Sequence, residues 1–206
     1  MAGTTTNYGW TYPTSTDLVK DGATAIQTAI QGADTSLFSI TGGKNVGLVF
    51  LNTTTFSAVS TVSIDNVFSS TYNNYRVVIQ TLGSIGANFS MRYRTGGVDE
   101  SGATYNYEQL SGTNAAASAA ITNSQTSQNI GAVRTSRQTY ELNVYDPALA
   151  TSYTTSTNIV NDFQSASTLQ LQAHWFANAK AVDGFTLIPA SGTITGTVRI
   201  YGYRNS

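Results

Sequence analysis

Two periodicities divide this 206-residue chain. Apolar residues recur as Val19, Ala23, Ile26, Ile30, Ala33 and Leu37, at spacings of 4, 3, 4, 3 and 4. That is the a/d seam of a short coiled coil, and it predicts a helix over 17–39 with Asp17 as its cap. Beyond Thr41-Gly42-Gly43 the period becomes two. In YRVVIQTL (75–82), Tyr75, Val77 and Ile79 share one face while Arg76 and Gln80 take the other. FSMRYR (89–94), YELNVY (140–145), LQLQAHWF (169–176) and ITGTVRIYGY (194–203) repeat the alternation. Shorter candidate strands lie near 46–51, 58–64, 104–110, 130–135, 155–160 and 184–188. Turn clusters of Gly, Asn, Ser and Asp separate them, and no βαβ rhythm is present.

The expected fold is mainly β: an antiparallel, jelly-roll-like β-sandwich, preceded by an extended N-terminal arm and one short coiled-coil-forming α-helix. The boundaries are an arm over 1–16, a trimerisation helix over 17–39, a glycine hinge over 40–45 and the sandwich over 46–206. Residues 111–129, SGTNAAASAAITNSQTSQN, carry few bulky side chains. They are expected to form a long surface loop, with a short helix at the alanines.

The helix is weak by itself. Gly22 and Gly32 each cost roughly 1 kcal/mol against Ala, and Thr24, Thr28 and Thr35 are poor helix formers. So short a tract needs a partner, either its own sandwich or other copies of itself. Ile26 at d and Ile30 at a lean toward a trimer. The arm ahead of it holds Tyr8, Trp10 and Tyr12, and Tyr12-Pro13 disfavours helix there. Aromatics on an arm offer large apolar areas for a partner to bury, which makes Tyr8, Trp10, Tyr12 and Pro13 the candidate anchor.

Charge removes several classes of function. Ten basic residues balance eleven acidic ones, so there is no basic stripe to release phosphate counterions and no nucleic-acid partner is expected. The pairs Arg92/Arg94 and Arg134/Arg137 read as solvated strand faces. The absence of cysteine excludes disulfides and thiolate metal sites. The start of the chain lacks a basic-then-apolar run, so no secretory leader is expected. The longest apolar run, Val46 to Leu51, is interrupted by Gly47, and membrane insertion is not expected.

Catalytic chemistry finds little to use. The single histidine, His174, lies on a predicted strand beside Trp175, with no G-x-S-x-G elbow anywhere. A strand histidine held by its neighbours is the preferred reading over a triad. Asp99-Glu100 is the only adjacent acidic pair, and neighbours on a turn cannot face each other across a glycosidic bond. A solvated loop is expected there, ahead of a calcium loop. No enzyme, metal or cofactor is therefore expected. Aromatics can stack on sugar faces, and Tyr105, Tyr107, Tyr153 and Trp175, with Phe176 beside them, are candidate glycan or receptor contacts. At alternating strand positions the same residues are more often core or cross-strand pairs.

Three blocks resemble small structural proteins of tailed bacteriophages. They are NYGWTYPTSTDLVKDGATAIQTAI, GLVFLNTTTFSAVSTVSIDNVFSSTYNNYRVVIQ (47–80) and the terminal ITGTVRIYGYRNS. They cover a little under half the chain, and roughly 95–190 departs from the pattern. The resemblance implies a non-enzymatic virion surface protein, a homotrimeric fibre or knob fixed to tail or baseplate by its arm. It implies other virion proteins as partners, with host surface polysaccharide as a further one. A head decoration stabilising the capsid, and a carbohydrate-binding β-sandwich module, stay open as alternatives.

Overall fold

A computed structural model of the chain describes residues 3–6, 9–14, 19–41, 47–113, 116–162 and 168–205. The chain divides into two compact units, Met1–Gly47 and Leu48–Ser206.

The first unit holds strands β1 (Gly3–Thr4) and β2 (Thr11–Tyr12) and helix α1 (Val19–Thr41). The helix forms where the seam predicts it and continues through Thr41, two residues into the stretch assigned to the hinge. Asp17, Tyr8 and residues 42–46 lie outside the described residues. The arm corrects an expectation, because its described part is folded rather than extended. Gly3 pairs with Tyr12 and Thr4 with Thr11 as an antiparallel hairpin. Thr5 closes the turn: its carbonyl accepts from Gly9 N at 3.0 Å and its hydroxyl from Trp10 N at 2.9 Å. Gly9 reverses the chain with a φ of 65°, a conformation glycine adopts at little cost.

The second unit is an antiparallel β-sandwich. In chain order its strands are β3 (Leu48–Val59), β4 (Val62–Ile64), β5 (Asn74–Gly83), β6 (Ala87–Thr95), β7 (Val98–Asp99), β8 (Tyr105–Gly112) and β9 (Ala117–Gln125). There follow β10 (Gln128–Val133), β11 (Gln138–Tyr145), β12 (Thr154–Asp162), β13 (Thr168–Phe176), β14 (Gly184–Pro189) and β15 (Ile194–Tyr203). An eight-stranded sheet runs β3-β15-β5-β11-β12-β13-β8-β9. A five-stranded sheet runs β10-β6-β14-β4, with β7 paired to β6.

The alternation read from the sequence is the burial pattern. On the large sheet Tyr75, Val77, Ile79, Tyr140, Leu142, Val144, Val198 and Ile200 point inward, fully buried. Phe89, Met91, Tyr93, Phe185 and Leu187 meet them from the small sheet. Aromatic rings knit the interior, with Phe89 and Tyr140 5.2 Å apart and Tyr105 and Phe176 4.9 Å apart. Contacts of this kind add about 0.5–1.5 kcal/mol each beyond the burial itself. A bulge between Asn129 and Gly131 bends β10, and Gly131 sits at a φ of 126° with Val160 so close that a Cβ would meet it at 2.9 Å.

Residues 111–129 correct a second expectation. Their described residues include the end of β8, all of β9 and the start of β10, in place of the expected loop with a helix. β9 lies at the sheet edge and is exposed at nearly every position, so no burial writes a period-two pattern into it. Its register with β8, from Gly112↔Ala117 to Tyr107↔Thr122, fixes it instead.

Candidate functional site

Helix α1 presents two stripes, about a quarter turn apart at 100° per residue. Ala25, Ala29, Gly32 and Ser36 form one, half-buried and made of small residues. Trp10 lies on this stripe: its indole N–H donates to Ser36 Oγ at 2.9 Å, and a Cβ on Gly32 would stand 3.3 Å from its ring. The second stripe is the predicted seam. Ile26, Ile30 and Leu37 are 52%, 64% and 65% exposed, Ala23 is exposed and Ala33 half-buried. Val19 is the first residue of the helix. Phe38, 64% exposed, flanks it.

The anchor residues separate accordingly. Trp10 is occupied by its own helix, so it is not the loose plug that an extended arm implied. Pro13 is half-buried, and Tyr12 covers Gly3 while remaining 43% exposed. A glycine reads in sequence as a helix weakness, and here Gly32 makes room for an indole.

On the sandwich, the outer face of the large sheet is ordered in rows by its register. One row runs through Asn74, Tyr145, Thr155, Trp175 and Asn106. One step beyond Gly202↔Tyr75, Tyr203 joins it beside Asn74. The next row holds Phe50, Tyr201, Arg76, Asn143, Thr157, Ala173, Glu108 and Ile121. A third passes from Glu141 through Ile159, Leu171 and Leu110 to Ala119. At its β9 end the face is apolar and concave, a groove of about 520 Å³ walled by Leu110, Ala119, Ile121, Leu171 and Ala173 with Glu108 at its side.

The four candidate glycan contacts do not form one platform. Tyr105 is fully buried, its hydroxyl accepting from Tyr93 N at 2.9 Å and donating to Glu100 O at 2.8 Å. Phe176 is buried beside it. Tyr107 shares their inward parity and lies 5.7 Å from the His174 ring. Trp175 is on the outer face, and Tyr153, 51% exposed, precedes β12 with the same outward parity as Thr155. Of the four, Trp175 and Tyr153 thus lie away from the inner face. Tyr145 and Tyr203 belong to the outer face with Trp175 and were missed. Their signal was parity: each closes its strand out of phase with Val144 or Ile200.

The polar interior explains His174. Its Nε2 lies 2.7 Å from the Asn129 carbonyl, between the sheets. Burial pushes its pKa down to about 4, against the pull of the Asn129 and Ser156 backbone, so at neutral pH the uncharged ring donates to that carbonyl. Gln128 reaches Ser156 at 3.3 Å and Asn158 donates to Ile130 O at 3.2 Å, continuing the same layer.

Two readings of charge are corrected. Arg94 is not a solvated strand residue: its side chain is 11% exposed and bonded to Asp65 at 2.6 Å and to Asp99. Nor is Asp99-Glu100 a solvated loop. Asp99 also accepts from Thr186 Oγ1 at 2.6 Å, and Glu100 pairs with Lys180. Through Arg94 and Thr186 the carboxylates of Asp65 and Asp99 tie β6, β7, β14 and the residue after β4 together. Among the described residues no group of three His, Asp or Glu could hold a metal ion, and no helix is long and apolar enough to cross a membrane.

No family model and no curated protein matches the chain. Among solved structures it is similar to the galectin LEC-6 of Caenorhabditis elegans, at 12% identity and a TM-score of 0.35, over 76% of this chain and 99% of that one. So loose a likeness leaves function to the chain's own residues.

Proposed function

We propose that the chain is a non-enzymatic structural protein of a tailed-bacteriophage virion, a trimeric surface fibre or knob that assembles through α1. The observation that supports this reading is the seam. Ile26 and Ile30 stand more than half exposed at heptad spacing, on a helix whose other stripe is already taken by the arm. Exposed isoleucines on a helix too weak to stand alone lose their unfavourable hydration only by meeting another apolar surface, at about 25 cal/mol per Å² removed from water. Isoleucine at both a and d favours three strands. Each protomer would then carry its hairpin on the stripe beside the bundle.

Light scattering tests the assembly. The full chain is expected at three times its 21.8 kDa mass, and the double variant Ile26→Asp, Ile30→Asp at one. A monomeric wild type, or a variant that keeps the trimer mass, overturns it. Virion placement is checked by quantitative mass spectrometry of purified particles. A copy number divisible by three is expected, and absence from the particle refutes the placement.

A further inference from the structure

We infer that the outer face of the eight-stranded sheet is a stacking platform for an extended, neutral polysaccharide strand, centred on Trp175, Tyr145 and Tyr203. These residues stand on β13, β11 and β15, every second strand of the order β15-β5-β11-β12-β13, and in one cross-strand row. Strands lie about 4.8 Å apart, so the aromatics recur at roughly 9–10 Å along a line perpendicular to them. Two pyranose units of an extended β-linked chain advance by a comparable length.

The tyrosine rings lie down on the sheet. Tyr203 OH donates to Asn143 Oδ1 at 2.9 Å, although Asn143 is two strands away on β11. Tyr145 OH reaches Thr157 Oγ1, on the next strand, at 3.4 Å. A side chain that spans its neighbours in this way rests one ring face on the sheet and turns the other to solvent, which is why both residues are half-buried. Such faces match the apolar side of a sugar ring. Trp175 is half-buried, and among the described residues its indole N–H makes no hydrogen bond, so it can donate to a sugar hydroxyl. Tyr153 extends the surface diagonally from Trp175.

The polar groups select the ligand. Asn74 and Thr155 lie between the rings, offering an amide and a hydroxyl. In the neighbouring rows Arg76 and Glu141 form an ion pair with each other, and the remaining charge, Glu108, is a carboxylate, so the face offers no basic site to attract phosphate. A lipid surface would meet too many polar side chains, and a nucleic acid would find no basic stripe. A hydroxyl-rich, uncharged chain satisfies both rings and amides. The platform lies wholly in the second unit and does not depend on the virion reading.

Trp10→Phe leaves Trp175 as the sole tryptophan, since the chain has two, and excitation at the red edge of the indole band reads it apart from the tyrosines. Titrating this full-length variant with cellohexaose and with chitohexaose is expected to change its emission saturably with at least one of them. Adding Tyr145→Ala or Tyr203→Ala should weaken that binding at least tenfold, while Val98→Ser, on the smaller sheet, leaves it unchanged. Tyr145→Phe keeps the ring and should keep most of the affinity, which separates loss of stacking from misfolding. A flat titration with both oligosaccharides overturns the platform. So do alanine variants that bind as well as the parent, or a Tyr145→Phe variant that binds as poorly as Tyr145→Ala. Trimer mass is read separately, so the two proposals fail independently.

Discussion

The two units treat their apolar residues in opposite ways. In the sandwich, Tyr75, Tyr140, Phe89 and Phe185 are fully buried. In the first unit, Ile26, Ile30, Leu37 and Phe38 keep more than half of their surface in water. A sheet pair of this size buries its inward-facing large side chains by itself, although Leu110, Ile121, Ile159 and Leu171 stay exposed on its outer face. A single helix and a two-residue-strand hairpin, by contrast, have only one small-residue stripe to cover. The difference assigns stability to one unit and association to the other, and it can be broken by substitution. Phe185→Ala, which opens a space against Phe68 (rings 5.8 Å apart) and Ile64, is expected to lower sandwich stability by about 3–5 kcal/mol in a denaturant titration. Ile30→Asp should move the same transition by less than about 0.5 kcal/mol. Equal losses from both would remove the distinction.

His174 sharpens the contrast through pH. Its folded pKa is depressed to about 4, while the unfolded value is about 6.5. Between these values the unfolded chain binds a proton that the folded chain does not. The contribution is therefore complete above pH 6.5 and is lost as pH falls toward 4, about 3 kcal/mol across the window. Comparing His174→Gln with the wild type cancels the carboxylates common to both. The variant should show the shallower fall in stability between pH 6.5 and 4, and parallel curves would sink the assignment. This is the chain's only histidine, so the trimer mass should not follow the same titration.

What could be read from sequence follows from what burial imprints. The inward residues of β5, β6, β11, β13 and β15 alternate because one face is dry, and those strands lie within a residue or two of their predicted places. The seam was legible for the same reason, as a period. β9 was not, because an edge strand with both faces wet has no alternation to show. Arg94 was misread because its partners Asp65 and Asp99 are 29 and 5 residues away, and only the folded sheet brings them to one guanidinium. The site was half legible. Trp175 and Tyr153 were named, whereas Tyr145 and Tyr203 join them only through the order β15-β5-β11-β12-β13, which no local pattern encodes.

The smallest expected effect tests whether the arm belongs to the helix at all. Gly22 and Gly32 look equivalent in sequence, and alanine at either should gain up to about 1 kcal/mol of helix propensity. Their surroundings differ. A Cβ at Gly22 meets nothing within 4 Å, whereas at Gly32 it meets Trp10 Cδ1 at 3.3 Å and Cγ at 3.6 Å. The indole can yield only by disturbing its 2.9 Å bond to Ser36 and the hairpin behind it. Gly22→Ala is thus expected to raise helicity in circular dichroism and to delay melting of the first unit. Gly32→Ala should give a smaller gain, with the shortfall visible as a shift in Trp10 fluorescence. A Trp10→Ala background should restore the full gain at Gly32, because the ring that limits it has gone. If Gly32→Ala gains as much as Gly22→Ala with Trp10 present, the hairpin does not rest on the small-residue stripe. Both sides of the helix would then be open to partners, and the division of labour between its two stripes would not hold.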